Sequence, residues 1–114
     1  MDVLYAAEKL SNAVHALAVG PGDIKSRLRD AFTELVSLSE RDLPEKLRAD
    51  LRWIKNELTK KEATSRAVIE GEIRIGLEGR IGATLRGMRT KRAVEVAEKI
   101  CYLADRLESF VAAR

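Results

Sequence analysis

A chain of 114 residues has room for one domain, expected to span 1–114. Its 46% hydrophobic and 34% charged residues exclude a disordered chain and supply enough apolar material for a core. Aromatic residues make up only 4%, so the core must come from Leu, Val, Ile and Ala, and the scarcity of rings argues against nucleic-acid binding by base stacking.

The net charge of +3 is unevenly placed. The stretch Gly79–Arg92 carries Arg80, Arg86, Arg89, Lys91 and Arg92 and no acid, which leaves the rest of the chain slightly acidic. The lone cysteine, Cys101, cannot form an internal disulfide. The start, Met1 to Tyr5, lacks the basic and apolar runs of a signal peptide, and no apolar stretch reaches the roughly 20 residues that cross a bilayer. The expectation is a cytoplasmic protein with no membrane partner.

In chain order, the first helix is expected over about Asp2–Val19, with Val3, Ala7, Leu10, Val14 and Leu17 on one stripe. Gly20-Pro21-Gly22-Asp23 stops it: Gly20 suits a left-handed cap, and Pro21 cannot continue the helix. Asp23 is the expected N-cap of a second helix, whose stripe is Ile24, Leu28, Ala31, Leu35 and Leu38, widened by Phe32. The polar stretch Ser37–Arg41 ends it.

Asp42-Leu43-Pro44-Glu45 reads as the start of the third helix, Asp42 and Glu45 forming a capping box and Pro44 lying in the first turn. Leu47, Leu51, Ile54 and Leu58 form its stripe, with Trp53 half-buried beside it.

The stretch Gly71–Arg92 reads differently, with Gly at 71, 76, 79, 82 and 87. Ile73, Ile75 and Leu77 alternate as in a strand. Ile81, Leu85 and Met88 have helical spacing. Each Gly within a helix costs up to ~1 kcal/mol. The pattern therefore predicts an irregular or extended segment over Thr64–Gly79 and a short helix over Arg80–Met88.

The last helix starts near Thr90 or Lys91 and runs almost to the end. Ala93, Val96, Ile100, Leu103, Leu107 and Phe110 form its stripe. Val94, Ala97, Ala104 and Val111 broaden it enough for several neighbours, and Glu95 and Lys99 are a favourable i, i+4 pair. The predicted fold is an all-α, small antiparallel bundle of four main helices, plus a short extra helix and an irregular Gly/Arg segment. The first three helices could hairpin in sequence, closed by the last.

Chemistry-bearing residues are few. His15 is the only histidine, and no CxxC, HxxxH or HExxH spacing accompanies it, so no metal is expected. It reads as a helix-surface residue at the edge of the first stripe. Cys101 reads as a small hydrophobe rather than a nucleophile. The carboxylate pairs Asp30 with Glu34, Glu40 with Asp42, and Asp105 with Glu108 read as solvated helix faces. No catalytic constellation, metal or cofactor is expected, and the chain is not read as an enzyme.

The Gly/Arg segment matches neither a P-loop nor a dinucleotide-binding turn. Its Arg80, Arg86, Arg89, Lys91 and Arg92 are candidates for binding phosphate or a nucleic-acid backbone. Arg86 and Arg89 would then share a helix face away from Ile81, Leu85 and Met88. Alternatively, these cations pair with acids of other helices, such as Asp42, Asp50 or Glu57. The leading expectation is a non-catalytic interaction or assembly module that binds itself, as a homodimer, or another protein through helix faces. The alternative is a nucleic-acid-binding accessory protein using the patch at 80–92.

Overall fold

The computed structural model describes residues 2–61 and 73–114. Among these lie five helices: α1 (Val3–Val19), α2 (Ile24–Leu35), α3 (Arg48–Thr59), α4 (Ile73–Gly87) and α5 (Thr90–Ala112). Two 3-10 turns, Glu40–Asp42 and Glu45–Leu47, join α2 to α3. The architecture is an all-α bundle, with no strand among the described residues.

Each early helix starts where a carboxylate can accept from its open first turn. The Asp2 side chain accepts from the Tyr5 N–H at 3.1 Å, and Asp23 from the Ser26 N–H at 3.0 Å. The α1 face differs from the expected stripe by a small rotation. Val3, Ala6, Leu10, Ala13 and Leu17 are buried, while Ala7 and Val14 are left partly exposed at the edge. The small buried alanines let α1 approach two neighbours, α2 and α5.

The cap at the end of α1 is not left-handed. Gly20 is extended (φ −62°, ψ 150°), because the ring of Pro21 disfavours helical dihedrals in the residue before it. The positive φ, 85°, falls at Gly22 instead. Arg27 folds back so that its guanidinium donates to the Leu17 carbonyl at 3.4 Å, placing a cation at the negative end of α1.

The connector after α2 corrects a second expectation. Asp42 does not cap the third helix. It closes a reciprocal capping box with Ser39 around the first 3-10 turn, accepting from the Ser39 N–H at 3.1 Å. Leu43, before Pro44, is extended for the same reason as Gly20. Pro44 therefore breaks the helix that would otherwise run on from Asp42. A second short turn follows, and α3 begins only at Arg48. Leu38, Leu43 and Leu47 are all buried, so the connector is pinned to the core at three points.

The glycine-rich stretch is helical from Ile73, against the expected irregular segment and its strand-like alternation. The rest of that expected segment lies in 62–72, outside the described residues. The short helix over Arg80–Met88 is thus the second half of a longer one. Ile81, Leu85 and Met88 are buried. Burying such side chains stabilises by roughly 1.5–3 kcal/mol each, which outweighs ~1 kcal/mol per helical glycine.

The spatial order also departs from sequential hairpins. α1 and α2 run antiparallel: the Tyr5 and Ser37 hydroxyls bond at 2.9 Å near one end, and Arg27 meets Leu17 at the other. α3 pairs with α4 and α5 rather than with α2. The long helix α5 is central, packing on α1, α2 and α3. Its Ala93, Val96, Ile100, Leu103 and Leu107 are 0% exposed, and they join one core cluster with residues of every other helix.

Ion pairs between helices settle the register of α3 on α5. Asp50 bonds Lys99 at 3.0 Å, and Glu57 bonds Arg92, so the two helices run antiparallel. Lys99 is therefore not held by Glu95, which bonds Arg92 at 2.8 Å instead. A cross-helix partner displaces the expected i, i+4 pair.

Two carboxylates are held below their ordinary values. At Glu40 the cause is the Arg52 guanidinium, which reaches both carboxylate oxygens. At Asp23 it is the Ser26 N–H at the α2 cap. A lowered folded-state value means stability that is complete above the unfolded values, about 3.8 for Asp and 4.5 for Glu, and lost as pH falls through the folded ones. Melting temperature should therefore fall as pH is lowered through and below 4.5. Glu40→Gln should melt with a shallower acid-side decline in a thermal series from neutral pH to pH 3.

Candidate functional site

The fold divides the five sequence-predicted cations rather than gathering them on one face. Arg92 is committed to structure. It pairs with Glu57 and Glu95, and its guanidinium lies 5.4 Å from the centre of the half-buried Trp53 ring. These partners hold its pKa above the ordinary arginine value, the Glu95 bond first. Of the three expected acid partners, Asp42, Asp50 and Glu57, Glu57 alone meets the patch. Asp50 goes to Lys99, and Asp42 to the Ser39 backbone.

Arg80 donates to the Thr59 carbonyl at 3.2 Å, a cation at the end of α3. Arg86 and Arg89 do not share a helix face. α4 ends at Gly87, so Arg89 is the extended residue that precedes α5. Lys91 is exposed in the first turn of α5.

Two shallow grooves flank the second half of α4. One, of about 200 Å³, lies against α2 and is lined by Lys25, Arg29 and Arg86 with Asp23, Ser26 and Gly82. The other, of about 310 Å³, lies against the end of α3. It is lined by Lys60, Lys61, Arg89 and Arg92 above Thr84, Gly87 and Met88. Thr84 fixes that corner: its hydroxyl accepts from the Lys61 N–H at 3.0 Å and donates to the Arg80 carbonyl at 2.7 Å. Lys25, Arg29, Lys60 and Lys61 were not legible as members of this surface, because they are distant from 80–92 in sequence.

A larger groove, about 490 Å³, runs between α1 and α5. Ala7, Val14, Ala104 and Val111 supply its apolar lining, Ser11 and Cys101 its small polar groups, and Glu8, Asp105 and Glu108 its charge. Among the described residues, no cation lines it. The cations nearest in sequence are engaged elsewhere, Lys9 with Glu34 of α2 and Arg106 with the Tyr102 hydroxyl. Asp105 and Glu108 are thus more than a solvated pair, since they edge a concave apolar surface.

Cys101 is exposed in this groove, not buried as a core residue would be. Partial burial and the nearby Glu98 push its thiol pKa up, the opposite of what activates a nucleophile. His15 is exposed on α1, as expected. Among the described residues, no three His, Cys, Asp or Glu side chains come together as a metal site, and no helix is long and apolar enough to cross a membrane.

The arrangement offers two kinds of surface, an apolar groove edged with acid and a cationic pair of grooves around α4. No family model, no curated protein and no solved structure matches this chain.

Proposed function

We propose that this chain is a non-catalytic interaction module whose α1/α5 groove docks an amphipathic helix of a partner protein, the apolar stripe of that helix being flanked by Lys and Arg. The groove itself carries the reading: an apolar floor bordered by Glu8, Asp105 and Glu108 and, among the described residues, by no cation. Alanine and serine on the floor let a third helix approach closely, and helix-in-groove docking needs such an apolar trough. The lining residues of α1 run from Ala7 to Val14, about two turns.

Charge favours a foreign helix over a second copy. A two-fold pairing of groove on groove would set Glu8, Asp105 and Glu108 against their own images, and like charges across an interface are unfavourable.

The test is fluorescence anisotropy with a labelled amphipathic peptide of about 18 residues, roughly 27 Å as a helix. It carries a Leu stripe flanked by lysines, and a glutamate-flanked version is the control. Saturable binding of the lysine peptide alone, weakened about tenfold or more in Asp105→Lys with Glu108→Lys, supports the reading. Equal affinity for both peptides overturns it. So does a dimer mass in light scattering that the same two substitutions dissociate, since the groove then belongs to a second copy.

A further inference from the structure

We infer that the two cationic grooves beside α4 form one surface that grips the phosphate backbone of double-stranded nucleic acid. The glycines of α4 point to it. Neither Gly82 nor Gly87 has a positive φ, so backbone conformation does not require glycine at either position. What each leaves is room above the helix, and a cation uses it.

A Cβ at Gly82 would stand 3.3 Å from Arg86 Nη1 and 3.8 Å from Arg29 Nη1. Two guanidinium groups from different helices therefore converge on one point. A Cβ at Gly87 would collide with the Lys61 ammonium, which lies in the second groove with Lys60, Arg89 and Arg92. Like charges gathered at close range are unfavourable alone and favourable around an anion.

Among the described residues, three acids face these groups, one of them Glu95, which bonds Arg92 at 2.8 Å. Asp23 accepts from the Ser26 N–H at the edge of the first groove. Glu57 is bound by Lys60 and Arg92 beneath the second. Against them stand Lys25, Arg29, Lys60, Lys61, Arg86 and Arg89, with Arg92 already held by Glu57 and Glu95. Two cation-edged grooves on either side of one helix suit a chain of phosphates better than a single anion. The Trp53 ring beside Arg92 is covered by Arg92 and by Lys99 at 5.9 Å, so it is not offered for stacking on unpaired bases. A duplex backbone, read without base contacts, fits both features.

The surface is distinct from the α1/α5 groove, and the experiment keeps the two apart. Binding of a labelled mixed-sequence DNA or RNA duplex is titrated at several salt concentrations. The expected result is affinity that falls steeply with salt, with a log–log slope near −0.9 per phosphate neutralised. Lys25→Ala with Arg29→Ala, and separately Lys60→Ala with Lys61→Ala, should each flatten that slope by about 2. Gly87→Ala should weaken binding without lowering Tm, because only the flexible end of Lys61 must move. Asp105→Lys with Glu108→Lys should leave duplex binding unreduced.

Absence of duplex binding at low salt overturns the inference. Slopes unchanged in both double variants overturn it too. Equal binding of poly-glutamate of matched charge assigns the surface to acidic proteins instead. If Arg86→Ala lowers Tm but leaves the salt slope intact, its role is to oppose the negative end of α4, and the first groove is removed from the site.

Discussion

Ile100→Ala should destabilise the protein by about 2–5 kcal/mol and lower its melting temperature by roughly 10–20 °C. Ile100 is 0% exposed at the middle of α5, the helix that packs on α1, α2 and α3. Removing its branched side chain forfeits transfer free energy and leaves a cavity that three helices must close at once. Two ties resist that closure, Tyr5 of α1 to Ser37 just beyond α2, and Asp50 of α3 to Lys99 of α5. Little collapse is therefore available, and the cost should sit in the upper half of the range. The check is a thermal or urea melt, with Tyr102→Ala as the control. Tyr102 lies two residues further along the same helix and is 47% exposed, so its loss should be small.

Ala13→Leu should cost about 1–3 kcal/mol, although it adds only apolar atoms. Ala13 is 0% exposed on the α1 face that meets its neighbouring helices, where a small side chain is what permits close packing. Leu there must push a neighbouring helix away or adopt a poor rotamer. Ala7→Leu is the informative comparison. Ala7 lies on the same helix but in the open α1/α5 groove, so the larger side chain has space and the melt should change by less than about 0.5 kcal/mol. The same change should obstruct the lysine-flanked peptide. Two Ala→Leu substitutions on one helix would then separate core from docking surface, one lowering Tm and the other lowering affinity.

How much was legible depended on range. The stripes of α2, α3 and α5 were readable because burial follows the helical period. Leu28, Leu35, Leu51, Ile54, Val96 and Leu103 all lie where the spacing puts them. Asp23 was readable as a cap because its partner, Ser26, is three residues away. Local rules failed where two of them competed. At Gly20 and at Asp42–Pro44, cap preferences were overridden by the constraint that a proline places on the residue before it. In α4, an alternating pattern and repeated glycine argued against a helix that burial of Ile81, Leu85 and Met88 sustains.

The candidate surfaces were less legible than the core. The basic run at 80–92 was visible, but its division was not. Arg92 became structural because antiparallel packing set Glu57 beside it, and Lys60, Lys61, Lys25 and Arg29 joined the surface from helices far away in sequence. The apolar lining of the α1/α5 groove was legible only as packing surface, Ala7 and Val14 in the first stripe and Ala104 and Val111 in the broad face of the last helix, and that it stays open was not. It exists because α1 is rotated to bury Ala6 and Ala13, which leaves Ala7 and Val14 at the edge facing α5.

By itself, then, the amino-acid sequence determined the fold class, the extents of α1 and α5, and most of the buried stripe, whereas α2 stops at Leu35 and leaves Leu38 of its expected stripe in the connector. Those features follow from hydrophobic period and from contacts within one turn of helix. The tertiary structure alone decided which cations pair, which converge, and where an apolar trough stays open. Those depend on the rotation and order of helices around α5, and that arrangement is fixed by close packing between residues far apart along the chain.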